Sequence, residues 1–176
     1  NVHHFGEQIV DFLEKNNHFG AKIDISYEKD ELLETGGGLL FAQKYLENED
    51  NFLIMNADIL TDLNIHELVK FHETHLPLAT LAVSDRNSSR KLFFNSEMVL
   101  KGWMNKNSGE TKMAEFNNEF KELAFSGIHC INSSIFDKIK RRGKFSIMEE
   151  YLDLMFENNI LGFQHEARLI DVGRPE

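Results

Sequence analysis

"NFLIMNADIL", residues 51 to 60, decides how this chain is read. Phe52 to Met55 form an unbroken apolar run that closes on Asn56, Ala57 and Asp58. A short run without polar alternation predicts a strand buried on both faces, the pattern of a parallel sheet. "LATLAVS", 78 to 84, and "ELAFSGIHCIN", 122 to 132, read the same way. Between the first two lies "NIHELVKFHETH", 64 to 75, with Ile65, Leu68, Val69 and His72 on one helical face and Pro77 as its stop. Buried strands alternating with amphipathic helices predict an α/β architecture. The expected form is Rossmann-like and doubly wound, with a mostly parallel, mixed sheet and helices on both faces.

The flanks extend the pattern. "GEQIVDFLEKN", 6 to 16, predicts a helix with Ile9, Val10, Phe12 and Leu13 on one face. "AKIDIS", 21 to 26, predicts a short strand, and "LLFAQKYLEN", 39 to 48, a helix. Residues 85 to 121 are polar and rich in Asn, Ser and Lys; they predict a hairpin excursion with strands at "KLFFN" and "MVLKGW". "SSIFDKIKRRG", 133 to 143, has a Ser start signal and a Gly stop and predicts a helix. "SIMEEYLDLMFENN", 146 to 159, predicts another, with Ile147, Tyr151, Leu154 and Met155 inward. "ILGFQHEARLIDVGRPE" predicts one or two strands and a turn. Nothing reads as a linker or a repeat, so residues 1 to 176 are expected to form one domain.

Composition removes several functions. Net charge is −10. Nucleic-acid binding rests on Lys and Arg neutralising phosphates, so no nucleic-acid partner is expected. A phosphate ligand would need a cation to offset that charge. The single cysteine, Cys130, lies in an apolar run, reads as a small buried hydrophobe and makes no intrachain disulfide. A reducing, cytoplasmic setting is expected, and no apolar run is long enough for a membrane helix.

Two carboxylates stand at strand ends, Asp58 after "FLIMNA" and Asp171 after "ARLI". Open α/β sheets bind ligands at those ends. Two such carboxylates can share a hard cation such as Mg²⁺, or each can cap the helix that follows. Gly36, Gly37 and Gly38 follow Thr35 between a predicted strand and helix. Three glycines exceed what a tight turn requires, so the expectation is an open cleft where backbone approaches a ligand. On that reading Gly36→Val removes ligand binding with little loss of folding. Glu149 and Glu150, near a helix start, either bond sugar hydroxyls or complement the helix dipole. "KIKRRGK", 138 to 144, either grips a phosphate or complements a helix C-terminus. His3 and His4 read as a strand-end pair before they read as metal ligands.

"ETGGG", "FLIMNADIL", "AFSGIHCI" and "LIDVGRPE", in that order and at those separations, resemble the sugar-1-phosphate nucleotidyltransferases. The nearest flavour is the group of mannose-1-phosphate guanylyltransferases and N-acetylmuramate-1-phosphate uridylyltransferases. The resemblance implies the nucleotide-diphospho-sugar transferase fold. It implies a nucleotide side at Glu28, Thr35, Gly36, Gly37 and Asn56, with Glu28 reading a base N–H. It implies a sugar side at Ser126 and Gly127, and a Mg²⁺ site at Asp58 and Asp171. The implied partners are UTP or GTP and a sugar-1-phosphate, whose oxygen attacks the α-phosphorus while pyrophosphate leaves; a homo-oligomer is also entertained.

The family's Gly-rich Gly-x-Gly-Thr-Arg loop, its following Pro-Lys and its Glu-Lys-Pro have no match in this sequence, and "GWMN", 102 to 105, stands near where the last would fall. The chain is therefore expected to begin downstream of the loop and its strand, to leave a sheet edge open, and to be inactive alone. Two alternatives remain: a nucleotide-sugar-dependent glycosyltransferase using "NAD" as its acidic motif, and a non-catalytic binding domain.

Overall fold

One long strand organises most of the chain. In the computed structural model, which describes residues 1–46, 48–114 and 119–173, Lys121–Asn132 is a twelve-residue strand, β7. It belongs to the larger of two units, formed by residues 49–135 and 151–176. The other strands of its sheet are β1 (Asn51–Met55), β3 (Ala79–Ser84), β4 (Arg90–Phe94), β5 (Leu100–Asn105), β6 (Thr111–Met113) and β8 (Ile160–Gln164). Their order is β6-β5-β4-β7-β3-β8, with β1 also on β7. A separate antiparallel pair joins β2 (Ile59–Thr61) to β9 (Leu169–Asp171).

The sheet is mixed. β7 runs antiparallel to β1, β3 and β4, whereas β3 and β8 are parallel. Hence β1, β3 and β8 point the same way, and their carboxyl ends share one edge. β3 is buried at every position, as its apolar run predicts. β1 is not: Leu53 and Met55 are exposed, and β1 pairs with β7 alone among the described residues. Leu53 and Met55 share one face of the strand, which is left open, while Phe52 on the other face is buried.

The helix α3 (Ile65–His75) sits where its 3.6-residue period puts it. Asn64 caps it by accepting from the Glu67 N–H, and Leu76 ends it in the left-handed region, one residue ahead of Pro77. Its Leu68 packs with Leu63, Ala82, Ile128 and Cys130. His72 is buried on the same side, 2.9 Å from the Thr80 hydroxyl.

The smaller unit comprises residues 1–48 and 136–150. Helix α1 (Gly6–Lys15) forms as expected, yet only Gly6 of it is buried. Residues 21–26 form no strand; a parallel bridge between Val2 and Tyr27 lies just beyond them. The helix expected at 39–48 starts earlier: α2 spans Glu34–Phe41, so the glycines lie inside it, and a 3-10 turn follows at Gln43–Tyr45. The helix expected at 133–143 is a single turn, α4 (Ile135–Lys138). The carboxylate of Glu150 explains the early stop. It accepts the Lys140 N–H at 3.2 Å and pairs with the Arg141 guanidinium at 3.1 Å, an irregular arrangement that a continued helix would prevent. Helix α5 (Ile147–Leu154) follows.

Candidate functional site

In the larger unit, the carboxyl end of β1 turns back through Asn56, Ala57 and Asp58 before β2 begins. β2 pairs with β9 so that Ile59 faces Asp171, and the Val172 N–H donates to the Asp58 carbonyl at 2.8 Å. This pairing brings the two acidic side chains together. Asp58 Oδ2 and Asp171 Oδ1 lie 2.7 and 3.3 Å from one point, the place where a Cβ on Gly173 would stand. The Gly173 N–H also donates to Asp171 Oδ1 at 3.0 Å. Gly173 therefore keeps the space between two exposed carboxylates clear. Paired oxygen donors of this kind suit a hard divalent cation, which keeps several waters and takes one or two carboxylates from the protein. No cluster of three or more His, Cys, Asp or Glu ligands exists among the described residues. Of the "LIDVGRPE" motif, residues 174–176 lie outside the described residues.

Ser126 and Gly127 sit in β7 next to this turn. Between Leu81↔His129 and Val83↔Phe125 the β3–β7 register shifts, and Gly127 stands inside the shift with φ +75°. Its carbonyl accepts the Asn56 N–H at 3.0 Å, and the Asn56 side chain packs over its Cα. The structure so places Asn56, Asp58, Gly127 and Asp171 around one turn. Ser126 points elsewhere: it is buried, with its hydroxyl 2.9 Å from His165 Nε2. His165 Nδ1 accepts the Ala167 N–H at 3.1 Å, so the proton of the neutral ring sits on Nε2 and is donated to Ser126. Burial lowers the His165 pKa, against the opposing pull of Asp62, which keeps the ring in that neutral form.

The glycine run, in the smaller unit, differs from its expectation. Gly36, Gly37 and Gly38 are all buried. A Cβ on Gly36 would strike the Phe145 ring, one on Gly37 the Gly143 carbonyl, and one on Gly38 the Glu28 carboxylate at 2.6 Å. The N–H groups of Gly36 and Gly37 both donate to the Phe145 carbonyl. Close packing, not an open cleft, accounts for each glycine. Gly36→Val should accordingly destabilise the protein by about 1–3 kcal/mol through overpacking, read as a lower urea midpoint. An unchanged midpoint would restore the cleft reading.

The remaining nucleotide-side candidates of that unit are also engaged. Thr35 Oγ1 accepts the Ile147 N–H at 3.0 Å. Glu28 is buried, and its carboxylate accepts from Asn1 Nδ2 and the Leu33 N–H, each at 2.9 Å. Glu149 is exposed and lies 3.7 Å from Arg141. Arg141 thus faces carboxylates rather than waiting for a phosphate. His3 contacts the Glu28 carbonyl through Nδ1 at 2.5 Å, and its ring stacks on His4. Two elements were missed by sequence reading: Gly173 as the spacer between the carboxylates, and His165 behind Ser126. The first was hidden because a turn glycine and a spacer glycine look alike in sequence.

Comparison with known proteins adds an independent line. A family model described as Nucleotidyl transferase matches residues 3–144. A mannose-1-phosphate guanyltransferase of Gibberella zeae is 27% identical over 165 residues, covering 90% of this chain and 42% of that protein. The mannose-1-phosphate guanylyltransferase catalytic subunit beta of Xenopus tropicalis is 25% identical, covering 93% of this chain and 44% of that protein. The chain thus spans less than half the length of these curated relatives. Among solved structures, HddC from Yersinia pseudotuberculosis complexed with GMP-PN superposes with a TM-score of 0.76 at 20% identity, covering 99% of this chain and 72% of that one. A putative glucose-1-phosphate thymidylyltransferase from Bacillus anthracis gives 0.71 at 16% identity, covering 95% and 66%. These neighbours share the mixed-sheet fold expected of nucleotide-diphospho-sugar transferases.

Proposed function

We propose, because this chain belongs to the nucleotidyl transferase family, that the protein carrying it transfers a nucleotidyl group from a nucleoside triphosphate to a sugar-1-phosphate. The observation that carries this reading is the facing pair Asp58 and Asp171, held around one turn with Gly173 between them. In the reaction a phosphate oxygen of the sugar-1-phosphate attacks the α-phosphorus, a new P–O bond forms, the bond to the β-phosphate bridge breaks, and pyrophosphate leaves. Asp58 and Asp171 would hold a Mg²⁺ ion. When bound, it would supply charge neutralisation for the phosphate oxygens. The residues' own part is positional. The β2–β9 pairing fixes the two carboxylates, Gly173 leaves them room, and Asn56 is tethered to Gly127 beside them.

Similarity to the fungal and frog mannose-1-phosphate guanylyltransferases favours GTP and mannose-1-phosphate as first substrates to try. The test uses the chain within a protein of its relatives' length. It is incubated with GTP, UTP or dTTP and a panel of sugar-1-phosphates, with nucleotide-sugar and pyrophosphate both measured. Formation of a nucleotide-sugar with equimolar pyrophosphate is expected. Consumption of a nucleotide-sugar with transfer of its sugar to an acceptor, and no pyrophosphate, would instead identify a glycosyltransferase.

A further inference from the structure

The acidic pair depends on a small ribbon. β2 and β9 have three residues each and form a sheet of their own, joined to no third strand among the described residues. Leu60 and Ile170, which face each other at its centre, are both exposed. A two-stranded ribbon is marginal in water by itself. Yet this one must hold Asp171 against the turn that carries Asp58. We propose that Asp62 and His165 are positioning residues: their side chains fasten the segment that enters β9 and so set Asp171 opposite Asp58. The inference rests on the reading of that pair as a divalent-cation site.

The register shows where the fastening is made. Ile59 faces Asp171, Leu60 faces Ile170 and Thr61 faces Leu169. One step beyond, at the acidic end, the Val172 N–H donates to the Asp58 carbonyl at 2.8 Å. One step beyond, at the other end, the facing residues would be Asp62 and Arg168. There the Asp62 carboxylate, not a backbone carbonyl, accepts the Arg168 N–H, also at 2.8 Å. A side chain thus closes the ladder where the backbones part, and an ionised acceptor makes the stronger bond. Asp62 is not needed to cap helix α3, because Asn64 accepts the Glu67 N–H there.

The residue before Arg168 is held as well. The Ala167 N–H donates to His165 Nδ1 at 3.1 Å. His165 is buried and tied twice to the main sheet: its backbone N–H donates to the Val83 carbonyl at 3.0 Å, and its Nε2 meets the Ser126 hydroxyl at 2.9 Å. Its ring is therefore a fixed point. Ala167 and Ile59 also pack against the cluster of Leu63, Leu68 and Ile128. Two consecutive amides, 167 and 168, thus meet two side-chain acceptors, one just past β8 and one just past β2. Asp171 lies three residues beyond the second. Partners that orient a metal ligand without touching the metal contribute about 10- to 100-fold in affinity.

The experiment compares Asp62→Ala with Asp62→Asn in the 176-residue chain. Asp62 is exposed, so both variants should fold. Asn keeps an oxygen acceptor and removes the charge. Two quantities are read: Mn²⁺ affinity by electron paramagnetic resonance, and hydrogen exchange of the Val172 amide, about 13 Å away along the ladder. In Asp62→Ala, Mn²⁺ affinity should fall about tenfold. The Val172 amide should exchange about tenfold faster, with the Leu68 amide of α3 unchanged. Asp62→Asn should recover most of both. His165→Asn, whose Oδ1 can replace Nδ1 as the acceptor for Ala167, should lie closer to the parent chain than His165→Ala; equal losses in the two would remove His165 from the proposal. Unchanged Val172 exchange in Asp62→Ala overturns it. So does an Asn variant as weak as the Ala variant, since the carboxylate would then act through its charge and not as an acceptor. If the parent chain binds no Mn²⁺, the cation-site reading fails, and Val172 exchange alone decides whether Asp62 fastens the strand.

Discussion

Asp58→Asn and Asp171→Asn should each reduce nucleotidyl transfer at least about a hundredfold in the protein of full relative length, since removal of one charge-stabilising group at a transfer site costs about 10²–10³ in rate. Folding should survive. Both carboxylates are exposed at a surface turn, and neither supports the apolar core. The double variant should be little worse than either single one, because the pair acts as one ligand set. Steady-state rates at saturating Mg²⁺ provide the check. Additive losses, or activity within a few-fold of wild type, would mean that the two aspartates serve different ends.

Acid should destabilise this protein well before its carboxylates titrate. His129 is buried in β7, 2.8 Å from the Tyr151 hydroxyl and edge-on to Phe125. Burial pushes its imidazole down to about 3. As pH falls through 6.5 the unfolded chain takes up a proton that the folded chain refuses. Between about 6.5 and 3 the unfolded state therefore binds more protons, and stability falls with falling pH. For this one residue the loss from pH 7 to pH 5 is about 2 kcal/mol. Burial lowers His72 and His165 as well, which steepens the slope. Urea midpoints at pH 7.5 and 5.0 read the effect, and His129→Gln should begin less stable but show a shallower pH dependence. A midpoint that does not move between those pH values would mean that His129 is charged in the fold.

The sequence made the larger unit readable because its signals are local. A mainly apolar run, interrupted by Ser126 and His129, predicted β7, and the 3.6-residue period with Asn64 and Pro77 bounded α3. Strand-end carboxylates pointed to Asp58 and Asp171, which the β2–β9 pairing joins across a long separation in the chain. What was not readable depended on distant partners. β1 looked like an interior strand because its side chains are apolar, but burial is decided by neighbours. The helix expected after Ser133 stops at Lys138 because a carboxylate from Glu150 takes the Lys140 N–H, a contact no local pattern announces. Likewise, a glycine admitting a ligand and a glycine admitting Phe145 are identical in sequence.

The claim that Asp58 and Asp171 form one divalent-cation site is tested most directly by Mn²⁺ as a probe. Electron paramagnetic resonance would count bound Mn²⁺ on the 176-residue chain and on its Asp58→Asn, Asp171→Asn and Gly173→Ala forms. One site, competed by Mg²⁺, is expected in the parent chain. It should be lost in either Asn variant and weakened several-fold in Gly173→Ala, whose Cβ would press on Asp58 Oδ2. Mn²⁺ bound equally by all four proteins would contradict the site and the mechanism built on it.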